Sequence, residues 1–596
     1  MLLLNAVSLA FMAMEADMNT IQSFFQAVPE LTDVALTLKA MSPIEIAVTV
    51  AAIGFAYVLI SFVVKAVLLR VLRLLGLYTP RLYSWLPSVF PMWRSMYRMY
   101  MVVGRWKEVV FRFGRYSTAG FSSTLTTMTY LYTPSKILLG RVWWAGFGLI
   151  QPVGLTIQRH IMVYAMTGAG KTTWLITMLA LWRGSACIID PKGQITDALA
   201  QNDKRKWITF YPHEAERSAQ WNPMDDIKSA MQREGKDAAV KWAQRLAESL
   251  VVTPAGSKSP FFSDTARGYL TALILHVLAE HEENEHTLPF VCELVTHGYR
   301  VYNSDGELET TPKEARILLG RLLLKNTAFS GAIAASASAF VNASGDTKSS
   351  LVATLQEQLK WLALPSVKHM LAKTTHPLAD AKTRDDVVFS FVTPVLSLRE
   401  ELQPLFRLFT NFVSYTFEAV TPKKGQCLFI IDEVQAMGHN ATLEVALPVA
   451  RSYGLSVVAI AQDREGMKAS YPKTYGSFEG NADVVLFMAT NHPDNYNYIS
   501  EALGKRTHIQ RDPRSGNKSY RESAVMTPDQ VKRFLSSDTG NLIAIRAGAR
   551  ALRLKIAPYF SELPVTAYTA DPDHREAILR RISRLIFNPK SLFKRR

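Results

Sequence analysis

Cysteine is scarce in this sequence: Cys187, Cys292 and Cys427 are the only three in 596 residues. They lie far apart, and none belongs to a CxxC pair or a Cys/His cluster. That excludes a disulfide-stapled fold and a thiolate metal site. They read as small core hydrophobes in a reducing compartment. No repeat of 20 to 50 residues and no long low-complexity tract occurs, which excludes solenoids. Charged residues make up only 20% of the chain and hydrophobic ones 48%, so it buries a large core and is not disordered. The length predicts several domains.

Acidic residues are the minority, 51 against 67 basic, for a formal charge of +16. The excess is local. From Lys65 to Arg115 ten basic residues face the single Glu108, and from Arg575 to Arg596 eight face Glu576. These two stretches account for the whole imbalance, so the charge by itself is weak support for a nucleic-acid footprint.

Uncharged runs long enough to cross a bilayer are also scarce. Ile46 to Val64 reads IAVTVAAIGFAYVLISFVV, 19 residues without a charge, close to the ~20 that a membrane-spanning helix needs. Acidic residues dominate before it and Lys65, Arg70, Arg73 and Arg81 follow it. By the positive-inside rule the large C-terminal part is cytoplasmic. The start, MLLLNAVSLAFMAM, is apolar but short and lacks the basic region of a signal peptide. It leaves a thin first span, a re-entrant piece and an interfacial helix open.

The strongest signal is HIMVYAMTGAGKTTW from His160. An apolar strand, Ile161 to Tyr164, runs into a tight loop and a helix opening at Lys171. The loop Ala165 to Thr172 is a P-loop with Ala in place of its first Gly. Its glycines, Gly168 and Gly170, let backbone N–H groups turn inward around phosphate oxygens. Thr167, Gly168, Ala169, Gly170, Lys171, Thr172 and Thr173 are the expected ATP-binding set. Lys171 reaches the β- and γ-phosphates and the Thr172 hydroxyl ligates Mg²⁺. A second apolar strand, CLFIIDE, ends in carboxylates: Asp432 to hold Mg²⁺ and Glu433 to polarise the attacking water. Two more strands end in polar groups. SACIIDPKGQ ends in Asp190-Pro-Lys-Gly-Gln194, and LSVVAIAQD ends in Gln462, a candidate γ-phosphate sensor. Arg451, ahead of that strand, is a candidate finger reaching a neighbouring subunit's site.

Further apolar runs, WITFYP, DVVFSFVT and DVVLFMAT, complete a RecA-like α/β domain with helices on both faces. Between the DPKGQ strand system and Val387 the patterning is helical, over 238–251, 263–281, 313–324, 352–362 and 366–372. The predicted organisation is therefore a membrane anchor over 1–115, a motor domain in two parts over 116–223 and 382–570, an all-helical insertion over 224–381, and a basic tail over 571–596. Lys423 and Lys424, with Arg511, Arg514 and Lys518, are loop candidates for contacting a threaded polymer.

At these residues the chain resembles the TraG/TraD family of type IV coupling proteins. DPKGQ resembles that family's DPKGE box. LLGRVWWAGF, WNPMDDI, SKSPFFSDTARGYLTALILHV, DTKSSLVATLQEQL, IDEVQAMG, ARSYGLSVVAIAQD, GNADVVLFMATN and YISEALGKRT carry the likeness in order over about 138–560. The departures are Gln194 for Glu, Val-Gln after Glu433, and one clear span where the family typically has two. The resemblance implies a homo-hexameric ATPase at the inner membrane that recruits DNA with its attached relaxase and pumps it into the channel of a type IV secretion or conjugation apparatus. A coupling ATPase for protein effectors and an FtsK-like chromosome translocase are the alternatives. Against the latter, the chain ends soon after LIAIRAGARALRLKIAPYF, with too few residues for a DNA-reading winged-helix module.

Overall fold

The computed structural model describes residues 67–81, most of 119–571, and single positions at 64, 580, 582, 583 and 586. The predicted span over 46–64 lies outside the described residues except for Val64, as do Lys423, Lys424 and Arg514 and the side chains of Arg511 and Lys518. Among the described residues no single helix is long and apolar enough to cross a membrane.

The first part of the α/β domain runs β1 (Ile137–Trp144), β2 (Leu149–Leu155), β3 (His160–Tyr164), α1 (Lys171–Leu181), β4 (Ala186–Asp190), α2 (Gln194–Leu199) and β5 (Lys206–Phe210). A helical block follows: α3 (Pro223–Glu234), α4 (Lys236–Leu250), α5 (Phe261–Glu280), α6 (Leu288–His297), α7 (Pro312–Lys325), α8 (Ala332–Val341), α9 (Gly345–Leu359) and α10 (Pro365–Met370). The chain then returns through β6 (Val387–Val392), α11 (Gln403–Ala419), β7 (Cys427–Asp432), α12 (Ala441–Ala450), β8 (Leu455–Ala461), β9 (Ala482–Phe487) and α13 (Pro493–Leu503). It closes with the hairpin β10 (Lys505–Arg511) and β11 (Lys518–Ala524), α14 (Pro528–Phe534), β12 (Asn541–Arg546), β13 (Ala549–Lys555) and α15 (Tyr559–Glu562).

Eleven strands form one sheet in the order β2-β1-β13-β12-β9-β3-β8-β7-β4-β6-β5. The strands from β9 to β5 pair in parallel. The sequence pattern foresaw these strands because a parallel strand covered on both faces is apolar throughout. In β7, Cys427, Phe429 and Ile431 face one apolar cluster, and Leu428 and Ile430 face the other. The sheet is nevertheless mixed. β12, β13, β1 and β2 add an antiparallel edge, in which Gly548 (φ +65°) turns the β12–β13 hairpin. Their apolar runs are shorter than CLFIID, as in LIAI of β12 and ILL of β1, and Arg141, Arg553 and Lys555 interrupt β1 and β13.

Between β5 and β6 the described regular elements are helical. Local signals set several of their starts. Asn222 accepts a hydrogen bond from the Met224 amide with Pro223 in the first turn, and Thr311 with Glu314 forms a reciprocal capping box ahead of α7. This block does not carry a core of its own. Trp221 and Trp242 pack edge-on against Phe412 of α11, and one continuous cluster joins α4, α5 and α9 to β4, β6 and β7. Arg407 of α11, buried by the same packing, donates Nε to the Ser249 carbonyl at 2.9 Å, and burial lowers its guanidinium to about 10.

Arg580, counted by sequence with the basic tail, is only 6% exposed. Its guanidinium donates to the carbonyls of Arg73 and Leu563, both at 2.8 Å. It is a structural donor tying the C-terminal end to the segment 67–81, not a solvated tail charge.

Candidate functional site

The loop after β3 is held from both sides. The Ala165 amide donates to the Ala461 carbonyl at the end of β8, and Met166 donates to Ala489 beyond β9. Gly168 and Gly170 both take φ +80°, the left-handed region that glycine enters without a Cβ penalty. A Cβ at Gly170 would also meet Ile556 Cδ1 at 3.0 Å. The first turn of α1 has no side-chain cap and no acidic residue. Its N–H groups and the positive end of its dipole therefore face a cleft of about 690 Å³.

Thr167, Gly168, Gly170, Lys171, Thr172 and Thr173 line that cleft together with Asp432, Glu433 and Gln462. The carboxylates reach it because β7 and β8 run parallel to β3 and end on the same side. Lys171 Nζ sits 2.7 Å from Asp432 Oδ1 and 3.9 Å from Glu433 Oε2. Gln462 Nε2 donates to Glu433 Oε2 at 3.3 Å, so Gln462 positions the Glu433 carboxylate. Asp432 Oδ1, for all its closeness to the ammonium, and Glu433 Oε1 are buried and receive no well-directed hydrogen bond. Oxygens of this kind, beside the Thr172 hydroxyl, are a hard donor set that suits Mg²⁺ or its water shell. Ala169 is the exception in the loop: the residue is 4% exposed, belongs to the apolar cluster under the sheet and does not line the cleft, and its amide donates to the Met166 carbonyl at 3.1 Å.

Glu433 holds φ 88° and ψ 63°. A non-glycine residue there costs on the order of 1–3 kcal/mol and persists only where the surroundings over-determine it. In this turn its carboxylate lies 3.9 Å from the Lys171 ammonium.

Arg451 lies apart from this cluster. It is exposed in the short 3-10 turn 451–453 that leads into β8. That is the far end of a seven-residue strand from Gln462, about 20 Å away at ~3.3 Å per residue. Within one subunit it does not serve the cleft, and a contribution to a neighbour's cleft is a separate matter.

Two groups of lining residues escaped the sequence reading. Lys192, Gln194 and Asp197 come from the DPKGQ turn and α2, where the strand-end rule pointed without assigning roles. Tyr559, Phe560, Thr569, Ala570 and Asp571 come from a strap after β13 that crosses α1. The strap has no periodicity or motif that announces it.

Asp190 does not line the cleft. It is 1% exposed and accepts from both the amide and the hydroxyl of Thr196, at 2.9 Å each, which starts α2. Burial raises its carboxyl from 3.8 to about 7, opposed by the Thr196 bonds and reinforced by the Asp432 charge. The folded protein therefore keeps this proton between about pH 4 and pH 7 while the unfolded chain releases it, and stability falls as pH rises through that window. Asp190→Asn is expected to remove that decline. In denaturant titrations at pH 5 and pH 7.5 the variant should gain on the wild type at the higher pH by about 2–3 kcal/mol. Parallel pH profiles would contradict this assignment.

Residues 119–582 match the family described as type IV secretory system conjugative DNA transfer. The conjugal transfer protein TraG of Escherichia coli is 25% identical over 462 residues, covering 69% of this chain and 69% of that protein. The type IV secretion system-coupling protein VirD4 of Bartonella quintana is 21% identical over 421 residues, covering 67% and 63% respectively. Among solved structures, the plasmid coupling protein TrwB in complex with ADP and Mg²⁺ aligns over 75% of this chain and 94% of its own, with a TM-score of 0.55 and 18% identity. At that identity the likeness speaks for the fold.

Proposed function

This chain belongs to the type IV secretory system conjugative DNA transfer family, and from that membership we propose that it is the coupling ATPase of a conjugation or type IV secretion apparatus. In this reading it is a homo-hexamer anchored in the inner membrane by residues 46–64, with its motor in the cytoplasm. It recruits DNA with an attached relaxase and drives it into the secretion channel. The observation that carries the reading is the convergence of Lys171, Asp432, Glu433 and Gln462 on the P-loop cleft, with two buried carboxylate oxygens that receive no well-directed hydrogen bond.

The division of labour follows from that geometry. The amides from Gly168 to Thr172 cradle phosphate oxygens, and Lys171 places its charge against the β- and γ-phosphates. Thr172 and Asp432 are the residues to hold Mg²⁺, which neutralises charge on those phosphates when bound. Glu433, oriented by Gln462, accepts the proton of the attacking water. The coupling protein TrwB, solved in complex with ADP and Mg²⁺, supports the choice of ligands. Arg451 remains a candidate for the neighbouring subunit's site in the hexamer, tested by mixing Arg451→Ala with Lys171→Ala subunits.

DNA is expected to stimulate hydrolysis by the full-length protein in bilayers of neutral lipid. The stimulation should be steeply salt-sensitive, because phosphate contacts release counterions: a loss of roughly tenfold or more between 50 and 200 mM salt. ATP hydrolysis that neither single- nor double-stranded DNA changes at low salt would reject the DNA motor in favour of protein cargo.

A further inference from the structure

The strap after β13 is built into the nucleotide cleft in a way that phosphate chemistry alone does not use. Four hydrogen bonds fix its path. The Thr177 hydroxyl of α1 donates to the Ala557 carbonyl at 2.6 Å. The Val565 amide donates to Gly76, and the Thr569 amide to Ala198 at the end of α2. Asn202 Nδ2 donates to the Thr569 hydroxyl at 3.0 Å. Ile556, at the strap's start, touches the position where Gly170 would carry a Cβ. The strap is therefore pre-organised against the P-loop.

Three aromatic residues lie on it, and they divide by exposure. Tyr559 and Tyr568 are buried at 6% and 1% and meet edge to face at 4.9 Å. They anchor the strap to the apolar cluster under the sheet. Phe560 is half-buried, meets Tyr559 edge to face at 5.5 Å, and lines the cleft.

The cleft has a direction. Asp432, Glu433 and Gln462 mark the end where a terminal phosphate reacts. Gly168 to Thr172 form the phosphate cradle. The lining continues along the first turns of α1 through Thr173 and Ile176, and the strap adds Phe560 and Asp571 to it. A nucleotide with its γ-phosphate at Glu433 and its phosphates along the cradle has this remaining stretch for its sugar and base.

From this arrangement we infer that Phe560 is the stacking platform for the base of the bound nucleotide, with the strap as the wall of that subsite. The inference rests on the reading of the cleft as an ATP site and extends it to a residue outside every motif. An aromatic face binds any base through its π-surface and contributes about ten- to a hundredfold in affinity.

The test measures binding of Mg²⁺-ATP and of inorganic tripolyphosphate with Mg²⁺ to the full-length protein by titration calorimetry. Phe560→Ala should weaken ATP about ten- to a hundredfold and leave tripolyphosphate within about twofold. Phe560→Trp should keep ATP affinity within a few-fold. Relative to the wild type it should also gain a fluorescence component that ATP quenches and tripolyphosphate does not. Unchanged ATP affinity in Phe560→Ala, or equal losses for both ligands, would overturn the stacking role. If Lys171→Ala still lost both ligands in that case, the phosphate site would stand without the base subsite. A wild type that bound neither ligand would overturn both readings.

Discussion

Lys171→Ala is expected to abolish ATP hydrolysis and Glu433→Gln to abolish turnover while retaining nucleotide, and the two variants should part company in stability. Lys171 is the cation beside two largely buried carboxylates; its side chain is 18% exposed and that of Asp432 8%. Removing it deletes the charge that binds phosphate and leaves Asp432 and Glu433 facing each other without compensation. One-sided loss of a buried ion pair costs about 3–5 kcal/mol, so Lys171→Ala should melt earlier than the wild type. Glu433→Gln removes one of the two competing negative charges and keeps the shape. It should melt at or above the wild-type temperature, bind ATP, and lose at least about a hundredfold in turnover through loss of the proton acceptor. Together they separate phosphate binding from water activation. Rapid-quench hydrolysis and calorimetric melting on the same preparations check both. A Glu433→Gln protein that turned over at the wild-type rate would remove that residue from the chemistry.

The second large effect is expected far from any motif. The Glu562 carboxylate is fully buried and holds two arginines from distant parts of the chain. Arg141 Nη1 of β1 lies 2.6 Å from Oε1, and Arg73 Nη2 lies 3.4 Å from Oε2. Arg73 also donates to the Ile150 carbonyl and stacks its guanidinium over Tyr78 at 3.9 Å. Glu562→Ala leaves two largely buried cations without their shared carboxylate and should cost about 3–5 kcal/mol, while Glu562→Gln, which keeps one acceptor oxygen but turns an NH2 toward the second arginine, should cost less. Because α15 opens the strap that walls the cleft, Glu562→Ala should also weaken ATP binding without touching a phosphate contact. Chemical denaturation followed by nucleotide titration reads the two effects in turn. A loss below about 1 kcal/mol, the range of exposed pairs, would show that solvent reaches this cluster.

Legibility in the sequence tracked the physical constraint on each element. Strands β3, β4 and β6 to β9 were readable because burial on both faces leaves little room for polar residues, and GAGKT was readable because backbone approach to phosphate demands glycine and a cation at set spacing. IDE was readable because a parallel strand delivers its last residues to the site. The antiparallel edge β12-β13-β1-β2 was not readable, since half-exposed strands such as ARALRLK alternate too weakly to stand out from loop. Arg580 read as tail charge because nothing in RRISR says that one arginine turns inward. From sequence Gln462 is a candidate γ-phosphate sensor; the fold adds that its amide donates to Glu433.

By itself the sequence determined the candidate chemistry of the motor: which residues are of the type to bind phosphate, to hold the metal and to accept the proton, and in what order the strands carry them. These are local requirements, and each leaves its residue type at a definite spacing. Only the tertiary structure decided that the helical block shares the motor's core, that Glu433 sits in a left-handed turn, and that the segment 556–571 returns across α1 to wall the cleft. Those facts depend on contacts between residues far apart in the chain, which hydrophobic pattern does not encode. A strap held by backbone carbonyls and buried aromatics can be written in many sequences, so its place in the cleft shows only when the chain is folded.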